Sequence, residues 1–305
     1  MFSNQRTKAS ILLLFGAASY GVLSTFVKLG YQDGFTPGEI TGSQVVFGFI
    51  ALWLLCLPSW KKLKGISPKS ILKLMGSGIF TGLTGIFYYY SLQSLDASFA
   101  VLLLFQFTWM GMLLDWLVHG KAPGRNQLIA VGIVLAGTLL ASGLSLDSLE
   151  RLNPVGIGLG LLSAVSYTLN MYFSGRVATE VPTIFRSAWM VTGATLTVLA
   201  VYPPHFVTNG SLGHGLWVWA SILSLFGMII PPYLFAKAAP QLETGLAAIL
   251  GAVELPVVIV ISGLLLHEHT GIQQWLGILL IIGGIVVSEA KPLASSSSVQ
   301  PALDS

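Results

Sequence analysis

Charge is what this sequence has least of. Only 9% of its 305 residues are Asp, Glu, Lys or Arg, against about a quarter in a soluble domain, which leaves too little to cover a water-facing surface. Cysteine is nearly absent. Cys56 stands alone in an apolar stretch, so an intrachain disulfide and a paired-cysteine redox motif are both excluded. Lysine and arginine form no exposed basic stripe of the kind nucleic acid requires, and no nucleic-acid partner is expected. No G-x-x-x-x-G-K-[ST] loop is present, which removes ATP-driven transport by this chain alone, and there is no H-E-x-x-H or G-x-S-x-G. Period-two segments of about ten residues are missing too, so nothing favours a membrane β-barrel.

What remains is apolar. Residues of the hydrophobic types make up 54% of the chain, and the mean hydropathy is +0.79. A helix needs about twenty such residues to cross ~30 Å of hydrocarbon. Runs of that length fall at 9–30, 38–58, 70–92, 97–118, 126–144, 154–175, 184–203, 214–236, 244–266 and 271–289. The first is too long for the core of a signal peptide and nine similar runs follow it, so it reads as a membrane helix. The expected fold class is therefore all-α, a polytopic membrane protein with ten transmembrane helices. Glycine pairs such as Gly78 and Gly82, or Gly156 and Gly160, allow close helix approach. These glycine-rich faces permit a monomer and a homodimer equally well.

The few charges set an orientation. With a cytoplasmic N-terminus, one side carries Arg6, Lys8, Lys61, Lys62, Lys64, Lys69, Lys73, Lys121, Arg125, Arg176, Arg186, Lys237 and Lys291, which is 13 of the 15 basic residues. The other side keeps Arg151 and Lys28 beside acidic Asp33, Glu39, Asp96, Asp147, Glu150 and Glu268. The positive-inside rule then places both termini in the cytoplasm and the chain in the cell (inner) membrane, multi-pass.

An offset of 147 positions lays the chain on itself without a gap for long stretches. Ser19-Tyr20 meets Ser166-Tyr167, Ser77 meets Ser224, Leu95-Asp96 meets Leu242-Glu243, Gln127 meets Gln274 and Gly137 meets Gly284. Internal repeats decide the architecture. The expected organisation is a first five-helix repeat over 1–146, a second over 147–290, and a disordered cytoplasmic tail over 291–305. Five is odd, so the second repeat enters the membrane in the opposite sense. Inverted repeats suit alternating access around a site near the midplane.

Five helices repeated twice in about 300 residues resembles the drug/metabolite transporter superfamily, and more narrowly the EamA family of ten-span transporters. Ala18-Ser19-Tyr20-Gly21 through Val27-Lys28 is similar to that family's opening helix. Leu255-Pro256 through Leu266-His267-Glu268 is similar to its ninth, and Gln274 with Gly277 to Gly284 matches its last. There are departures. Trp109 stands in the first repeat where the second has Pro256, Lys121 stands where it has Glu268, and Ser43-Gln44-Val45 occupies a region where family members often carry an arginine. The resemblance implies export of amino acids or other small metabolites.

Candidate site residues follow from polarity at depth. Glu254 lies about ten residues into its helix, where a charge costs roughly 2.5–3.5 kcal/mol to insert and usually faces a cavity or partner. It is the candidate for proton coupling or for contact with a substrate amine. Tyr20 and Tyr167 are repeat-related and mid-span, and Asn170 shares the Tyr167 helix face. Gly82 and Gly85 in one half, Pro231 and Pro232 in the other, mark paired interruptions of the third and eighth helices, a pointer to a transporter site. Beside them, Tyr89 and Tyr233 are candidate binding residues. Three consecutive tyrosines cannot all face one cavity, so at least one of Tyr88, Tyr89 and Tyr90 faces lipid or the interface. Gln106 and Trp109 share a face of the fourth helix, with Asp115 out of phase near its cytoplasmic end. Lys28 can snorkel to the interface. His267-Glu268-His269 lacks the spacing of a zinc helix, so no metal and no cofactor is expected.

The expected function is a secondary transporter, an exporter of a small molecule such as an amino acid, working in a lipid bilayer and proton-coupled through Glu254. Two other readings compete. A sensor or scaffold without flux lacks an output module, and an intramembrane enzyme lacks a nucleophile–base pair or paired carboxylates at one depth.

Overall fold

The computed structural model describes residues 2–95, 97–120, 122–143, 153–267 and 270–289. The expected tail over 291–305 lies outside them, as do Asp96, Lys121, Asp147, Glu150, Arg151, Glu268, His269 and Lys291. Among the described residues every regular element is helical. The ten segments are α1 (Gln5–Gln32), α2 (Pro37–Leu63), α3 (Pro68–Ser94), α4 (Ala97–Leu104 with Phe107–His119), α5 (Arg125–Ala141), α6 (Pro154–Arg176), α7 (Thr183–Val201), α8 (Leu212–Gln241), α9 (Thr244–Leu265) and α10 (Ile272–Glu289). Nine are long and apolar enough to cross a membrane. The tenth, α5, spans about 25 Å at 1.5 Å per residue.

Caps place the helix starts. Thr36, Ser67 and Asn153 each accept backbone N–H groups just before Pro37, Pro68 and Pro154. A short polar cap followed by proline satisfies orphan donors and presets φ for the first turn. Glu39 closes a capping box on Thr36. Gly120, at φ 67°, ends α4 in the left-handed region that glycine adopts without strain.

The helices pack with two-fold regularity. α3 lies against α6 and α7, and its counterpart α8 lies against α1 and α2; α4 touches α6 as α9 touches α1. The pairs α2–α7, α4–α9 and α5–α10 join each helix to its own repeat mate. Those mates run antiparallel. Val45 accepts from Thr195 while Trp53, farther along α2, donates to Thr192, earlier on α7. Gly137 sits on Gly277 and Ile281, whereas Gly284 sits on Ala130 and Val134. Equivalent helices pointing oppositely through one layer is the geometry of an inverted repeat.

Glycine makes the seams. A Cβ at Gly78 would collide with the Met190 carbonyl, and one at Gly193 with the Met75 carbonyl, so α3 and α7 meet backbone to backbone. Gly156 and Gly160 receive Leu95 and Leu103. At the end of the bundle that holds Arg6, Arg186 is buried. It donates to the Ala236 carbonyl at 2.6 Å and to the Ser174 carbonyl, tying the last turns of α6 and α8 to the first of α7. Cationic donors suit helix C-termini, where carbonyls are unsatisfied.

The interruptions differ from the sequence expectation. α3 runs unbroken from Pro68 to Ser94, through Gly82 and Gly85, because glycine keeps its N–H and membrane packing tolerates it. In α8 a π-turn over Leu225–Ile229 precedes the prolines. Pro231 offers no N–H to the Phe226 carbonyl, which accepts the Ser19 hydroxyl instead (2.8 Å). The matched breaks lie elsewhere. α4 divides into Ala97–Leu104 and Phe107–His119, and α9 into Thr244–Gly251 and Glu254–Leu265, at positions related by the 147-residue offset. The same tight turns recur in both: Gln106 N to Leu103 O and Thr108 N to Phe105 O in one, Val253 N to Leu250 O and Leu255 N to Ala252 O in the other. In α9 the cause is Pro256, whose missing N–H releases the Ala252 carbonyl.

Candidate functional site

The break in α9 delivers Glu254 to the meeting point of two connected chambers. An outer chamber of about 280 Å³ opens toward the end of the bundle that holds Lys28, Thr270 and Gln274. A deeper one of about 130 Å³ lies between α1, α2, α3 and α6. They share Leu23, Ser24, Tyr88, Tyr89, Leu104 and Glu254. On α1 the lining positions Tyr20, Leu23, Ser24, Val27, Lys28 and Tyr31 form one helical face, and on α9 Glu254, Val258 and Ser262 form another.

The walls are aliphatic and aromatic, with polar groups at a few points. Tyr20, Tyr88 and Tyr167 line the deep chamber together with the Glu254 carboxyl. Tyr167 packs on Phe107 (ring centroids 4.5 Å apart) and on Tyr20 (6.2 Å). Its hydroxyl is buried without a hydrogen-bond partner among the described residues, on the chamber that Glu254 also lines. A buried hydroxyl in that position is poised to donate to the carboxylate or to a ligand. Asn170 Oδ1 accepts from Thr81 (2.9 Å) across the deep chamber. Gln44 lines the same chamber and donates to the Leu223 carbonyl (3.3 Å).

Of the residues expected from sequence, Tyr20, Tyr89, Tyr167, Asn170 and Glu254 come together on these chambers. Gln106, Trp109 and Tyr233 line neither. Gln106 donates to the Leu102 carbonyl (3.0 Å) and accepts from Trp109 Nε1 (2.8 Å), so their polar atoms are spent on the break in α4. Tyr90 is the outward member of the tyrosine triplet, 38% exposed and stacked on Tyr202. The sequence reading weighed Tyr88 within the triplet and chose Tyr89 instead, and it passed over Thr81. The signal was the polar and small stripe Thr81, Thr84, Gly85, Tyr88 at helical spacing on α3.

The opposite end is built differently. A polar chamber of about 1080 Å³ is lined there by Arg6, Asp115, Arg125, Arg176, Glu243 and Glu289 among others. Between it and the deep chamber, Gly111 packs on Ala248 and Gly251 on Phe107 and Met171. Among the described residues no group of three His, Cys, Asp or Glu side chains is placed to hold a metal.

This is the architecture of a multi-pass helical membrane protein with adjoining chambers between two inverted halves. The EamA-like transporter family matches the chain twice, over residues 7–143 and 154–289, and the chain belongs to that family. It is similar to the uncharacterized transporter sll1319 of Synechocystis sp., at 20% identity over 97% of this chain and 98% of the relative. It is also similar to the uncharacterized transporter YvbV of Bacillus subtilis, at 23% identity over 96% of this chain and 95% of that one. A crystal structure with 16% identity superimposes with a TM-score of 0.71, covering 92% of this chain and 97% of the other, and shares the fold.

Proposed function

We propose that this transporter is a secondary carrier that moves a small metabolite of the amino-acid kind out of the cell by alternating access, coupled to protons through Glu254. It lies in the cell membrane with both termini in the cytoplasm. The observation that carries the reading is the placement of one carboxylate, Glu254, at the junction of two chambers walled mainly by tyrosines and aliphatic side chains, with Lys28 and Gln274 on the outer one and Gln44, Thr81 and Asn170 on the deep one. A substrate amine and a proton both neutralise that carboxylate, so occupancy by one disfavours the other. Such competition is the physical basis of exchange. Tyr20, Tyr88 and Tyr89 offer aromatic faces to a cation or to an aromatic ring.

Counterflow in proteoliposomes with labelled amino acids and related metabolites tests this directly, for wild type and Glu254→Gln. Saturable exchange by wild type, kept in the variant while pH-driven accumulation is lost, is the expected pair of results. A wild type shown to be folded that moves none of these solutes would sink the substrate class. A variant that still accumulates solute against a pH gradient would remove Glu254 from proton coupling.

A further inference from the structure

Three helices that each give a residue to the deep chamber, α4, α6 and α9, also hold a polar clasp toward the Arg6 end. Arg176, on α6 beyond Tyr167 and Asn170, donates to Asp115 Oδ1 of α4 (3.0 Å) and to Thr244 Oγ1 of α9 (2.7 Å). Asp115 Oδ2 accepts the Gly245 N–H at 2.6 Å. The guanidinium rests over the Tyr172 ring, 4.2 Å from its centroid, and a ring nitrogen of His119 lies 3.6 Å from Asp115. Charge-assisted bonds of this kind are short and directional. They join three helices at one level, one turn along α4 and α9 from the Gly111–Ala248 contact.

The internal repeat supplies a control. Under the 147-residue offset Asp115 corresponds to Ser262, Arg176 to Leu29, Thr244 to Ala97 and Gly245 to Ser98. None of the charges recurs, and Ser262 lines the outer chamber. One end of a near-symmetric bundle is clasped and the other stands open. The clasp is also separated from the site by the paired breaks. Asp115 belongs to Phe107–His119 and Thr244 to Thr244–Gly251, whereas Val101 and Leu104 belong to Ala97–Leu104 and Glu254 begins Glu254–Leu265. Tight turns inside a longer helix are places where it bends.

We propose that the Asp115–Arg176 pair, with Thr244 and the Gly245 N–H, is the gate at the Arg6 end. While it is closed the cavity is reached only from the Lys28 end; bending at the two breaks releases it and admits solvent from the Arg6 end. The assignment rests on the alternating-access reading, but its test needs no transported solute.

The test uses a thiol reporter in oriented vesicles. With Cys56→Ser as background, Ser24→Cys places one thiol on a wall shared by both chambers. A membrane-impermeant maleimide should label it from the Lys28 side and not from the Arg6 side. Asp115→Asn and Arg176→Gln should raise labelling from the Arg6 side by about tenfold or more, the loss expected for hydrogen bonds to charged groups. Arg176→Lys should restore part of the protection. Folded neutralising variants that label at the background rate from both sides would overturn the gate. If those variants lose their melting transition, the decisive protein is Ser262→Asp with Leu29→Arg, which installs a matching pair at the open end. It should slow labelling from the Lys28 side, and an unchanged rate would overturn the proposal. Absence of flux with every solute would bear on the carrier reading and leave this measurement standing.

Discussion

A carboxylate inside a membrane helix persists only where surrounding dipoles and donors accommodate it. Around Glu254 these are tyrosine hydroxyls, and Tyr167 is the most deeply held of them, fixed by Phe107 and Tyr20. Tyr167→Phe removes the donor and keeps both ring contacts. Exchange should slow by about tenfold or more, the worth of one hydrogen bond to a charged group, while the melting temperature in detergent stays near wild type. Tyr90→Phe, on the exposed stack with Tyr202, should change neither, and a matching loss there would mean that the assay reads general damage. At this scale the sequence was partly legible. Glu254, Tyr20, Tyr167 and Asn170 announce themselves as polar groups at depth. Tyr88 does not, because three tyrosines in a row hide which two face inward until α3 is rotated against α6 and α7.

Helices in this bundle are held by contacts that glycine permits and bent by bonds that proline withholds, and the two effects can be separated. Gly78→Val puts a branched side chain into the Met190 backbone. It should cost about 1–3 kcal/mol or prevent folding. Gly76→Val, two residues away with nothing within 4 Å of a Cβ, should express and melt like wild type. Pro256→Ala tests the other effect. It restores an N–H for the Ala252 carbonyl, straightens α9 and removes the bend that presents Glu254. Thermal stability should hold or rise while exchange falls at least about tenfold. A straightened α9 with full activity would show that the break is incidental. The existence of ten helices was legible from hydropathy alone, and so was the idea that interruptions come in pairs. Their location was not. Gly82 and Gly85 look like breakers in sequence but retain every backbone donor, whereas the true partner of the Pro256 break, at Phe105-Gln106, contains no proline or glycine at all. There the Gln106 side chain and the Thr108 hydroxyl take up backbone carbonyls, a device invisible to propensity.

Across the whole molecule, the inversion of the two halves follows from arithmetic on crossings and is visible in the antiparallel run of the repeat mates that touch, α2–α7, α4–α9 and α5–α10. What makes the two ends unequal is charge. Among the described residues the Arg6 end gathers Arg6, the exposed Lys61, Lys62, Lys69 and Lys73 around the α2–α3 link, Arg125, Arg176, Arg186 and Lys237, whereas the opposite end holds Lys28 with Asp33 and Glu39. An inverted repeat with balanced charges has no preferred sense of insertion, so this imbalance is what would fix one. The basic α2–α3 link and its repeat counterpart, Tyr202 through Ser211, lie on opposite faces of the bundle, and only one is basic. Single thiols in the Cys56→Ser background read the outcome. Lys61→Cys should react with an impermeant maleimide only after the cell membrane is opened, and Asn209→Cys should react in intact cells. The converse pattern would reverse the orientation and turn the open chamber toward the cytoplasm. Neutralising Lys61, Lys62, Lys64, Lys69 and Lys73 together should produce a mixture, with both thiols partly reactive in intact cells. A uniform population would show that the remaining basic residues suffice, and that the link's lysines do not set the direction in which this carrier faces.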